Sequence, residues 1–134
     1  MAVEGERVIR RAYRAFAARD VDALVELADP DVEVSTVTGL LAGRPGPYRG
    51  RDGLTEYMDD LASTWERIEL QPQRFLKVGE GEILVYGRVR AWHQQGFLDS
   101  SNAWLWTLRE GKVAAVRVFA DPAEARGLLA DPSP

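Results

Sequence analysis

The sequence has no cysteine and a single histidine, His93. Without cysteine, neither a disulfide framework nor a thiolate zinc site can form. With one imidazole, any metal site would rest on carboxylates, and no carboxylate spacing here resembles a cation-binding loop. No metal and no cofactor is expected. Lysine is scarce too: of 17 basic residues only Lys77 and Lys112 are lysines, a bias of coding composition more than of chemistry. Basic charge does not dominate, and the net charge of −4 argues against nucleic acid or an anionic membrane surface as partner. No apolar run is long enough for a signal peptide or a bilayer span. A cytoplasmic protein is expected.

What is present fits one domain over residues 1–134, 46% hydrophobic and 28% charged, an ordinary globular composition. Val8, Ile9, Ala12, Tyr13, Phe16 and Ala17 recur at three- and four-residue spacing with arginines between them, which predicts an amphipathic helix over 4–18. Asp20 stands as N-cap to a second helix, VDALVELA, that stops at Asp29-Pro30. DVEVSTVT then alternates as a strand, with Val32, Val34, Thr36 and Thr38 on one face. Residues 39–50 hold four glycines and two prolines and predict a loop, a candidate lid over a site. A third helix opens at Arg51-Asp52 and carries Leu54, Tyr57, Met58, Leu61 and Trp65 at helical spacing. Strands follow: IELQPQRFLKV, an edge or bulged strand because of Pro72, then ILVYGRVRAWH, then a hairpin over Phe97–Asp121 that turns at Glu110-Gly111. A short helix over 121–130 closes the chain.

Trp104 and Trp106, two apart on one strand, share a face. A turn at Gln95-Gly96 would pair Trp92 with Asp99, Arg90 with Ser101 and Arg88 with Ala103. This register sends Tyr86, Arg88, Arg90, Trp92, Asp99, Ser101 and Thr107 to an outer face. Val85, Gly87, Val89, Ala91, His93, Leu98, Ser100, Asn102, Trp104 and Trp106 go to an inner face. A slip of one residue would mix arginines with tryptophans on both faces. A plain core needs no Asn102 or His93, because an unpaired buried polar group costs about 1–3 kcal/mol; an aromatic pocket with a few polar groups would hold them. The bland alternative is that the tryptophans are core and the polar residues lie at the sheet's wet end.

The ordered set VIRRAYRAFAARDVDALVELADPDVEV, YRGRDGL and AWLWTLREGKVAAVRVFADPAEA resembles the NTF2-like superfamily and, within it, the SnoaL-like proteins, over about residues 4–130. The resemblance implies an α+β cone: a curved, mostly antiparallel sheet closed by three helices of the N-terminal half, with a short C-terminal helix, a cavity, and a homodimer through the outer sheet face. The superfamily includes isomerases, cyclases, hydrolases and non-catalytic binding domains, so fold does not decide function. Residue by residue, its familiar acids are missing. Thr36 stands where isomerase-like members place their general base, Asn102 stands near the acidic oxyanion donor, and no inward aspartate replaces the one cyclases use.

The candidate pocket residues are Tyr13, Thr36, Tyr57, His93, Asn102, Trp104, Trp106, Val116 and Val118. His93 is the one candidate catalytic base, its unperturbed pKa lying near neutrality, with Asn102 or a tyrosine as oxyanion donor. Three readings stay open: a domain that binds a small hydrophobic ligand, an isomerase-, cyclase- or hydrolase-type enzyme working by proton transfer on a polyketide-, steroid- or terpene-like substrate, and a non-catalytic dimerisation module.

Overall fold

A computed structural model of the chain describes residues 2–36, 47–119 and 123, without the side chains of residues 2–4 and 36. Helix α1 spans Ala2–Ala17. It buries Ile9, Ala12, Tyr13 and Ala15 and leaves Arg7, Arg10, Arg11 and Arg14 exposed, as its apolar stripe requires. The helix ends in a Schellman-type turn, in which Asp20 N–H reaches Ala15 O at 2.8 Å and Arg19 N–H reaches Phe16 O at 3.0 Å. Arg19 occupies the left-handed position of that turn, at φ 55°, where glycine is the default and an L side chain costs about 1–2 kcal/mol. Asp20 also starts α2, Val21–Leu27, by accepting Ala23 N–H at 3.1 Å.

Strand β1, Ala28–Thr36, begins before Pro30 rather than after it. Its register against β6, Lys112–Phe119, shifts between Ala28 and Glu33, so the proline, which lacks an N–H, falls in an irregular stretch where the ladder asks nothing of it. Part of the expected 39–50 loop is regular. Tyr48–Arg49 forms a two-residue strand, β2, antiparallel to β1, and Gly50 already opens α3, which runs to Thr64. The remainder of that loop and the candidate lid lie outside the described residues. So does the closing helix over 121–130, apart from Ala123, which is helical.

Strands β3 (Arg67–Gly79), β4 (Glu82–His93) and β5 (Gly96–Arg109) complete a six-stranded sheet of order β2-β1-β6-β5-β4-β3. Its pairs are antiparallel except β1 with β6. β3 is an edge strand with a register shift between Pro72 and Arg74, as its proline predicts. The β5–β6 turn falls at Glu110-Gly111, with φ 51° and 78°, the two positive values of a type I′ hairpin.

The β4–β5 turn corrects the expected register. It lies at Gln94-Gln95, so Arg88 pairs with Ser101, Arg90 with Asp99 and Trp92 with Phe97. The shift is two residues, which preserves every side chain's face. Helices and sheet enclose one core between them, with Ile9, Ala12, Leu54, Met58 and Leu61 meeting Ile83, Val85, Val89, Trp104 and Val118. A smaller cluster on the opposite face joins Leu84, Ala103 and Phe119. Farther along that outer face, Asp99 accepts from Arg88 at 2.7 Å and approaches Arg90 Nε at 3.9 Å. The arrangement is the α+β fold that the order of elements predicts, with the cone that the resemblance implies.

Candidate functional site

The inner face of the cone holds a void rather than a fully packed core. Trp104 and Trp106 stand opposite Val118 and Val116 on β6, and all four line it together with Tyr13 from α1 and Tyr57 from α3. These six were expected from the sequence. Phe16, Leu24, Leu27, Val32, Val34, Leu54 and Met58 line it too; the periodic stripes of the helices and of β1 marked them as inward, and only the closure of the sheet shows that they meet around a space. The void is about 70 Å³, below the roughly 150 Å³ that admits benzene in a protein interior. A ring-sized occupant therefore requires a wall to yield.

The wall is apolar except for two phenols. Tyr13 lies edge-on to both indoles, its ring centroid 5.6 Å from Trp104 and 5.3 Å from Trp106. Trp106 Nε1–H donates to its hydroxyl oxygen at 3.3 Å, which leaves the phenol proton free to point into the void. Tyr57 packs edge-on to Tyr48 at 5.2 Å, and Tyr48 donates its own hydroxyl to Asp60 Oδ2 at 2.6 Å. Among the described residues the Tyr57 hydroxyl has no hydrogen-bond partner, although the side chain is buried.

Burial raises the pKa of both phenols above the ordinary tyrosine value. At Tyr13 the hydrogen bond from Trp106 partly offsets this and the charge of Tyr57 adds to it; at Tyr57 the neighbouring Tyr48 adds to it. Neutral phenols in a dry wall act as donors, not bases. The sign of the pH dependence follows. With folded-state pKa values above the unfolded value near 10, the stability drawn from neutral burial is complete below about pH 10. It is lost as pH rises further, because the unfolded chain releases those protons first. Alkaline titration followed by near-ultraviolet absorbance is expected to show these two phenolates appearing only as tertiary circular dichroism is lost. The double variant Tyr13→Phe, Tyr57→Phe should unfold at higher pH, and an unchanged alkaline midpoint would contradict this.

Two expected pocket residues do not line the void. Asn102 is buried at 3% exposure on the inner face, where its side-chain oxygen accepts from Ser100 Oγ at 2.8 Å; that local bond satisfies the amide oxygen without a ligand. His93 is exposed at the hairpin end. Its ring lies 5.1 Å from that of Trp65, and its Nδ1 accepts Gln95 N–H at 3.0 Å. Its strand parity is inward, yet at this end its neighbour is the C-cap residue of α3 and not the wall of the void. Thr36 pairs with Val118 in the β1–β6 ladder, and its side chain is outside the described residues.

Two further concavities border the helices. A cleft of about 170 Å³ is lined by Phe16, Arg19, Val21, Met58, Asp59, Leu61, Ala62 and Ile68. A larger groove of about 510 Å³, near the start of α1 and the two hairpin turns, mixes Arg7, Arg11 and Lys77 with Glu80, Glu82 and Glu110, and its opposed charges select no one ligand class.

The family model for the SnoaL-like domain matches residues 9–116. An uncharacterised protein of Mycobacterium tuberculosis is 30% identical over 125 residues, covering 92% of this chain and 94% of that one. Among solved structures, TerC, co-crystallised with polyporic acid, superposes with a TM-score of 0.79 at 22% identity, over 96% of this chain and 99% of that chain. A candidate SnoaL-like polyketide cyclase from Jannaschia sp. CCS1 superposes with a TM-score of 0.74 at 15% identity, over 98% and 94% of the two chains.

Proposed function

The chain belongs to the SnoaL-like domain family, and from that premise we propose that it binds a small, largely apolar molecule bearing one oxygen acceptor in the cone cavity, without transforming it. The observation that carries this reading is the pair of neutral phenols in an otherwise apolar wall, one of them, Tyr57, buried with no partner among the described residues. A hydroxyl that no protein group engages is available to donate to a ligand carbonyl at that point. Proton-transfer chemistry is less well supported. Among the described residues the cavity wall holds no carboxylate or imidazole, and His93 stands apart from it. Asp60, on the nearest helix, is committed to the Tyr48 hydroxyl.

The test uses two rings of nearly equal shape, acetophenone and ethylbenzene, titrated against tryptophan fluorescence. Acetophenone is expected to bind about tenfold more tightly, since one hydrogen bond to a buried donor contributes about 1.4 kcal/mol. In Tyr57→Phe the two affinities should converge. Equal affinities in the unaltered protein, or no binding of either compound, would refute the proposal.

A further inference from the structure

The inner void and the 170 Å³ cleft share two lining residues, Phe16 and Met58. Phe16 comes from the last turns of α1 and Met58 from the buried face of α3, so one side chain from each helix separates the two spaces. Alone, the inner void is too small for a benzene ring. Joined to the cleft it exceeds the roughly 150 Å³ that admits benzene, and the partition is the wall best suited to yield. Methionine is unbranched, with three rotatable bonds, and Phe16 is only half-buried.

The cleft differs from the void in chemistry. Its rim carries Arg19 and Asp59, both exposed. Arg19 is fixed in two ways: its backbone holds the left-handed position that ends α1, and its guanidinium donates to Glu66 O at 3.0 Å. Non-glycine residues in that conformation cluster where function over-determines them. One guanidinium N–H is committed to the carbonyl, and the others remain for a planar, two-oxygen acceptor. Asp59 is exposed on α3, with no such anchor for its carboxylate.

We infer that void and cleft are two halves of one elongated site, parted by Phe16 and Met58, and that its ligand is an amphiphilic carboxylic acid. The apolar, carbonyl-bearing end passes the partition to reach Tyr13 and Tyr57, and the carboxylate stays in the cleft against Arg19. This rests on the cavity-binding reading and adds to it a direction of access, a ligand length and a charge.

The test compares 3-benzoylpropionate, which joins an aryl ketone to a carboxylate, with butyrophenone, its uncharged counterpart, and with 4-amino-1-phenylbutan-1-one, its cationic counterpart. Acetophenone serves as the reference for the inner half. In the unaltered protein 3-benzoylpropionate is expected to bind at least fivefold more tightly than butyrophenone. Arg19→Gln should bring that ratio to within twofold while leaving acetophenone affinity unchanged. Met58→Ala, which opens the partition, should strengthen 3-benzoylpropionate binding severalfold; Phe16→Ala is the alternative if that variant does not fold. If acetophenone binds but the acid gains nothing over butyrophenone, if the amine binds best, or if Arg19→Gln leaves the preference intact, the elongated site is refuted and the inner pocket stands. If acetophenone does not bind at all, both fall.

Discussion

Gly87→Ala is expected to destabilise the fold by about 3 kcal/mol or more, at the upper end of what overpacking costs, and to prevent folding if the margin is ordinary. The reason is geometric. Gly87 lies in mid-β4, opposite Pro72 on β3 and Asn102 on β5. A Cβ there would stand 2.2 Å from Gln71 O and 3.0 Å from Pro72 Cα. Both are backbone atoms, so no rotamer change relieves the contact. The β3 register shift between Pro72 and Arg74 folds the edge strand over this point, and a strand glycine marks such a close approach. Urea denaturation is the measurement. A loss below about 1 kcal/mol would mean that the bulge can relax, and that the bend of the edge strand does not depend on the missing side chain. Gly111→Ala is a useful contrast, because its Cβ would meet nothing within 4 Å and only its positive φ is at issue.

The dependence on Gly87 shows how much of this fold was legible in the chain. The alternation of strands β4 and β5 put Arg88, Arg90 and Asp99 on one side and Val85, Val89, Trp104 and Trp106 on the other, and they lie so. The register assigned from a glycine-containing turn was two residues out. A hairpin of this length is held by its whole ladder, and moving the turn from Gln95-Gly96 to Gln94-Gln95 changes partners without changing faces. Pro72 announced an edge strand with a bulge, and Glu110-Gly111 announced the last turn. Both signals are local, which is why they could be read. The short strand at Tyr48–Arg49 was not legible, because two residues carry no period and its pairing partner is distant in sequence.

The site was legible by direction and not by extent. Inward parity selected Trp104, Trp106, Val116 and Val118, and helical spacing selected Tyr13 and Tyr57. The same parity placed His93 and Asn102 with them, and it cannot say where along a strand the helices stop. His93 lies at the end of β4, where its neighbour is Trp65, the residue that caps α3. Asn102 engages Ser100, two residues away on its own strand, through its amide oxygen. Cavity size depends on how side chains from seven elements close on one another, a sum of long-range packing that no local pattern encodes.

Trp104→Ala is the second large effect, and it separates packing from binding. Trp104 is 3% exposed, packs edge-on to Tyr13 and sits opposite Val118. Its removal is expected to cost about 3–5 kcal/mol, as for other buried aromatic truncations, with the larger value if the site does not collapse. The Trp106–Tyr13 hydrogen bond remains, so the new space keeps a neutral donor and an apolar wall. Indole should therefore fill it. At a free concentration about a hundredfold above its dissociation constant, indole would restore about 2.7 kcal/mol to the variant, and it should stabilise the unaltered protein less, because there a wall must yield around the 70 Å³ void before a ring can enter. Thermal denaturation with and without indole reads both numbers. A larger rescue of the variant than of the unaltered protein would mean that β5, β6 and α1 hold the cavity open independently of its contents, as a preformed binding site must. Loss of stability without rescue would mean that the walls close when unsupported. The 70 Å³ void would then be a packing remnant, and the cavity-binding proposal would lose its physical basis.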